Sequence, residues 1–134
     1  MNLQGYDSKV LSEIQATAEW AIGTSYSLVQ YGKINLENYE KYAHATQKHP
    51  RTLLGQKKDG TFVLVVVDGR ATSNAGVTAQ QSAEIMSDLG CYNAVNLDGG
   101  GSSTMVVLEN GVSRVKNQPS DGGQRAVGSV LLVY

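Results

Sequence analysis

Asp98 stands where a β-prone run, Cys91-Tyr92-Asn93-Ala94-Val95, meets Gly99-Gly100-Gly101-Ser102-Ser103-Thr104. A second β-prone run, Met105-Val106-Val107-Leu108, follows at once. One carboxylate, three glycines and three hydroxyls thus occupy a bend between two expected strands. Glycine lets backbone approach a ligand closely, and successive N–H groups in such a bend can form an anion-binding concavity. An acid beside an anion cradle is what cleavage of a phosphorylated or sugar substrate would need. A plain Gly/Ser connector of flexible-linker composition is the poorer reading, because linkers rarely join two buried strands and rarely carry an acid at a strand end.

Two further loops hold charged groups after expected strands. One carries Asp68 and Arg70; the other carries Asn117, Ser120, Asp121 and Arg125. Upstream lies His49-Pro50-Arg51-Thr52, where Pro50 stiffens the approach to a strand. If these strand ends cluster, two acids and several arginines converge on the glycine bend. Each also has an ordinary reading: Asp68-Gly69 as a turn, Arg51 as a surface cation, Arg125 as a partner of Asp121. A Ser102 nucleophile is disfavoured, since the chain has no Gly-x-Ser-x-Gly elbow and neither histidine is an evident base. His44 and His49 lack neighbouring acids or thiols and make a poor zinc pair. No lysine follows the glycines as a Walker loop requires. No cofactor is required by these motifs. Asp68, Asp98 and nearby carbonyls could ligate a hard divalent cation, although no spacing demands one.

The elements that must position these groups are legible in part. Ser8 can cap a helix to residue 21, with Val10, Leu11, Ile14, Ala18 and Ala21 as its apolar stripe. Residues 25–31 alternate as a strand; residues 35–47 are polar, Tyr-rich and suggest a short helix. Residues 51–56 and 61–67 form a hairpin about Asp59-Gly60. The second of these, Phe62-Val63-Leu64-Val65-Val66-Val67, is apolar on both faces and predicts a central strand. Thr78 and Gln81 make a capping box for a helix ending at Leu89-Gly90, with Ala79, Ile85, Met86 and Leu89 inward. Residues 105–109 and 112–115 form a second hairpin about Asn110-Gly111, and residues 126–133 predict a last strand. The fold class is α+β: a single domain with a mixed, mainly antiparallel sheet and two or three helices. Within it, residues 1–24 are an N-terminal helical segment and residues 25–134 the core.

Composition bounds the rest. The 134 residues suffice for one core-bearing domain. A net charge of −1 gives no electrostatic case for nucleic acid or an anionic membrane, and no apolar run approaches a membrane span. Cys91 is the single cysteine, which excludes an intrachain disulfide and reads as a small buried hydrophobe. The first seven residues lack the basic and apolar regions of a signal peptide.

Six motifs occur in order: His49-Pro50-Arg51-Thr52 with Gly55, Val67-Asp68-Gly69-Arg70, Gly76-Val77-Thr78, Leu89-Gly90, Asn96 to Met105 around Asp98, and Asn117 with Pro119-Ser120 and Arg125-Ala126-Val127. In these the chain resembles the phosphodiester glycosidase domain over about residues 25–134. The resemblance implies hydrolysis of a sugar 1-phosphodiester. An N-acetylglucosamine-phosphodiester-like substrate within a cell-wall or surface glycopolymer fits, and so does a bacterial or phage setting at the envelope, outside the cell or on a virion. It places Asp98 and Asp68 as the catalytic carboxylates, Asp98 to activate water or stabilise the cationic sugar and Asp68 as its partner or to orient Arg70, and Arg51, Arg70, Gly99, Gly100, Gly101, Ser102, Ser103 and Arg125 on substrate and phosphate. Nothing before Ser25 matches the Asn-Gly-Gly-Phe-like segment usual in such domains. The second reading is therefore an inactive carbohydrate- or phosphate-binding module, and the third a structural part of a phage or envelope assembly.

Overall fold

A computed structural model describes residues 8–19, 21–37 and 39–134. Its main sheet has five strands in the order β2-β1-β5-β3-β4, namely β1 (Tyr26–Gln30), β2 (Lys33–Ile34), β3 (Arg51–Gln56), β4 (Phe62–Val67) and β5 (Asn93–Asn96). Every pairing in it is antiparallel, so the sheet is not mixed. A separate antiparallel pair joins β6 (Val106–Glu109) to β7 (Val112–Val115). The α-helices are α1 (Ser8–Thr17) and α2 (Ala79–Asp88), with short 3-10 turns at Tyr39–Lys41 and Gly100–Ser102.

Local chemistry explains the elements that match expectation. Asn110 and Gly111 both take positive φ, 50° and 77°, as the two-residue turn between β6 and β7 requires. At the start of α2, Thr78 Oγ1 accepts from the Gln81 N–H at 3.2 Å, and Gln81 Oε1 accepts from the Thr78 N–H at 3.0 Å. This reciprocal box satisfies two donors that a helix start otherwise leaves open. The helix packs on one face of the sheet, and Leu28, Val29, Leu53, Ala79, Ala83, Met86 and Ala94 are wholly buried between them. Each large member of this set contributes roughly 1.5–3 kcal/mol by leaving water. Cys91 is a buried free thiol in the same cluster, and burial pushes its pKa up. Gly55 admits it: a Cβ there would stand 2.5 Å from Cys91 Sγ and 2.6 Å from Met86 Cε.

Five expectations are corrected. β4 is the edge strand, with Phe62 52% exposed, because among the described residues only β3 pairs with it. Apolar composition on both faces does not specify a neighbour. Residues 126–133 form no strand, and Val130, Leu132 and Val133 are exposed. Leu89 is exposed as the C-cap of α2, with Gly90 beyond it at φ +77°, and Ser82 and Ala83 face inward instead. α1 ends at Thr17, and Ala18 and Ala21 are exposed; the side chains of Val10 and Leu11 lie outside the described residues. Among the described residues of 35–47 there is one 3-10 turn, Tyr39–Lys41, and no α-helix. Among the described residues no helix is long and apolar enough to cross a membrane.

Candidate functional site

Strand register brings the site together. β3 starts at Arg51, opposite Val67 at the end of β4; Leu53 stands opposite Asn96 at the end of β5; and Tyr26 at the start of β1 also faces Asn96. Antiparallel pairing therefore puts two strand starts and two strand ends on one rim of the sheet. The loops at that rim are then sewn together. His49 and Val77 exchange backbone hydrogen bonds, each 3.1 Å. The Gly100 N–H donates to Pro50 O at 3.0 Å, and the Leu97 N–H to Thr52 O at 2.8 Å.

A cavity of about 250 Å³ opens there, lined by His44, His49, Arg51, Arg70, Asn96, Asp98 and the Gly99-Gly100 backbone, among others. Asp98 stands exposed on its wall, and no donor among the described residues is bonded to its carboxylate. Arg51 is 2% exposed. Its Nε donates to Val77 O at 3.0 Å, its Nη2 to His44 O and Gln47 O at 2.8 and 2.9 Å, and its Nη1 to the Tyr26 hydroxyl at 3.1 Å. Four of its five N–H donors are thus spent on protein oxygens, and what it gives the cavity is charge. Burial lowers the Arg51 pKa and raises that of Tyr26, each partly offset by the other. No carboxylate pairs with this buried guanidinium among the described residues.

Arg70 is different. Its backbone is left-handed, at φ +60°, a conformation that costs a non-glycine residue roughly 1–2 kcal/mol. A Cβ on Gly100 would stand 3.0 Å from its Nη2, so the guanidinium lies over the glycine backbone. No acceptor binds that guanidinium among the described residues, and it lines a second cavity of about 300 Å³ as well. This neighbour is walled by Asp68, Ser73, Asn74, Gln118 and Ser120, among others.

Asp68 therefore does not share the wall of Asp98. Its Oδ1 accepts from Asn117 Nδ2 at 3.0 Å and from the Gln118 N–H at 2.9 Å. Ser103 is buried and bonded to Thr52 Oγ1 at 3.2 Å. Arg125 bonds Ser102 Oγ and pairs with Asp121 at 3.4 Å, and Asp121 packs against Gly101. Hence Gly101, Ser102, Ser103 and Arg125 lie outside the Asp98 cavity. The glycine run is a 3-10 turn rather than an open cradle: the Gly100, Ser102 and Ser103 N–H groups bond Pro50, Gly99 and Gly100 carbonyls.

Sequence reasoning set the histidines aside, yet both line the cavity. His49 has its pKa lowered, first by burial and then by Arg51, Arg70 and His44, so its imidazole is held neutral. His49 and Asn96 each open one of the motifs by which the chain resembles its family, and that position was the sequence signal for them, since neither forms a ligand spacing. Among the described residues no three His, Cys, Asp or Glu side chains are grouped to hold a metal ion.

Comparison with known proteins adds to this geometry. Residues 5–134 match the phosphodiester glycosidase family. The chain is 36% identical over 127 residues to the SPbeta prophage-derived protein YomE of Bacillus subtilis, spanning 95% of this chain and 19% of that one. It is 37% identical over 91 residues to bovine N-acetylglucosamine-1-phosphodiester alpha-N-acetylglucosaminidase, covering 63% of this chain and 16% of the enzyme. The catalytic domain of the zebrafish enzyme of that name, auto-inhibited by its pro-peptide, superposes with a TM-score of 0.61 at 29% identity, over 79% of this chain and 39% of that one. The chain thus spans less than a fifth of the length of these two curated relatives.

Proposed function

Because this chain belongs to the phosphodiester glycosidase family, we propose that it hydrolyses a sugar 1-phosphodiester, with the diester's phosphate against Arg70. One observation carries this reading: Arg70, whose guanidinium has no partner among the described residues, stands on the wall shared by two cavities, one of which contains Asp98. A diester joins two groups through one phosphate, so a single cation between two cavities suits it. A guanidinium matches phosphate oxygens through paired N–H donors, and the buried charge of Arg51 adds attraction without contact.

In the reaction, water adds to the sugar's C1 and the C1–O bond breaks. The bonding pair leaves with the phosphate monoester, and the sugar passes through oxocarbenium character. Asp98 takes the proton of the attacking water or stabilises the cationic sugar, while Arg70 offsets charge on the departing phosphate. Asp68 acts from the neighbouring cavity by holding the loop that carries Arg70. A substrate of the kind named for the mammalian relatives, an N-acetylglucosamine 1-phosphodiester, is the first to try. Purified chain and Asp98→Asn would be incubated with it in parallel. Release of the sugar by the wild type and at least a hundredfold less by the variant is expected; equal release would end the assignment of Asp98.

The second reading is a binding module that keeps the fold without turnover. It is favoured by the separation of Asp68 from the Asp98 cavity. Calorimetry and product analysis with the N-acetylglucosamine 1-phosphodiester itself distinguish it, as saturable binding of the diester without any product supports the module.

A further inference from the structure

Two buried side-chain polar atoms lack a hydrogen-bond partner among the described residues, His49 Nδ1 and Asn96 Oδ1, and both residues line the Asp98 cavity. Leaving such an atom unsatisfied costs about 1–3 kcal/mol, and folded proteins keep few of them. These two come from distant segments, the end of β5 and the bridge before β3.

The orientation of Asn96 is fixed by its other end. Its Nδ2 donates to Leu97 O at 2.7 Å, and a flipped amide would set two oxygens against each other there. Oδ1 is therefore the atom left without a partner on this cavity-lining residue, which is 3% exposed. An acceptor oxygen repels phosphate oxygens, and an ionised diester has no N–H or O–H to offer it. A sugar hydroxyl or amide does. His49, held neutral by burial and by the neighbouring arginines, is likewise a hydrogen-bonding group and not a third cation.

We propose that Asn96 and His49 are the sugar-reading residues of this site: Asn96 Oδ1 accepts from a hydroxyl or amide N–H of the glycosyl unit, and His49 Nδ1 makes a second bond to the same unit. The proposal rests on the hydrolase reading and gives the substrate a direction. The glycosyl group lies against Asn96 and His49, the phosphate at Arg70, and the remainder of the diester over the cavity of Ser73, Asn74 and Gln118.

Calorimetry on the purified chain tests it with two probes, N-acetylglucosamine 1-phosphate and inorganic phosphate. Asn96→Ala and His49→Ala are each expected to weaken the sugar phosphate about tenfold or more while inorganic phosphate changes less than twofold. Arg70→Ala is expected to weaken both. Equal losses for the two probes in the Asn96 and His49 variants, or no loss, would overturn the proposal. Because Asn96 is buried, wild type is also titrated with deoxy analogues of the sugar phosphate, which needs no variant. A tenfold loss at one position supports the assignment, and equal affinity for all analogues removes it. Hydrolysis of the diester with unchanged KM in the Asn96 and His49 variants would end this inference and leave the hydrolase reading standing. Absence of binding by either probe to the wild type, together with absence of hydrolysis, would end both.

Discussion

Asn117 Nδ2 donates to Asp68 Oδ1 at 3.0 Å, joining residues 49 apart in sequence. The same amide donates to Ser103 O at 2.9 Å, and its oxygen accepts from the Met105 N–H at 2.9 Å. One side chain thus ties the Asp68 loop to both ends of the segment leaving the glycine turn. Asn117→Ala removes all three bonds and is expected to cost about 2–3 kcal/mol, since each is worth roughly 1 kcal/mol net and half-buried partners are left open. Urea unfolding gives the cost, and amide hydrogen exchange should quicken at Met105 and Gln118. A loss below about 0.5 kcal/mol would contradict this tie.

Arg70→Gly separates function from stability. Glycine takes φ +60° freely, and the strain it relieves roughly balances the entropy it adds to the unfolded chain. Stability should stay within about 1 kcal/mol of wild type, while affinity for inorganic phosphate falls at least tenfold. Thermal melting and calorimetry on one preparation check both halves.

Gly76→Ala should do the reverse of a surface change. Gly76 has φ +92°, and a Cβ there would run into the carbonyl of His49. The obstacle is backbone, which cannot swing aside as a side-chain end can. A loss of about 3 kcal/mol or more is expected, with the His49–Val77 bridge broken. Denaturant unfolding decides it, and a near-neutral result would contradict a tight approach of Gly76 to the His49 carbonyl.

The lowered pKa of His49 gives stability a pH dependence of known sign. In the unfolded chain the imidazole titrates near its ordinary value of about 6.5. Above that pH both states carry neutral imidazole and this contribution is complete. As pH falls below about 6.5, the unfolded chain takes a proton that the folded chain refuses, and stability drops until the folded pKa is passed. His49→Gln should flatten this part of the profile. Urea midpoints at pH 7.5, 6.5 and 5.5 for both proteins would show it; parallel profiles would refute the role of His49.

Thr78→Ala tests the cap. Loss of its side-chain bond to the Gln81 N–H should cost about 1 kcal/mol, seen as a lower melting temperature with affinity for N-acetylglucosamine 1-phosphate unchanged.

What the sequence by itself determined was local. The Thr78–Gln81 box, the Asn110-Gly111 turn and the Asp59-Gly60 hairpin depend on residues within a few positions of one another, so they could be read from the chain. Type and spacing also singled out Asp98 and Arg70 as candidates for chemistry. Tertiary structure alone decided which groups meet. It put Phe62 on an edge strand, spent Arg51 on three carbonyls and the Tyr26 hydroxyl, and set Asp68 in a cavity apart from Asp98. It also turned Asn96 and His49 toward the same space. These outcomes follow from pairings such as Leu53 with Asn96 and Arg51 with Val67. Such registers are chosen by the packing of the whole sheet against α2, and no short stretch of residues contains that information.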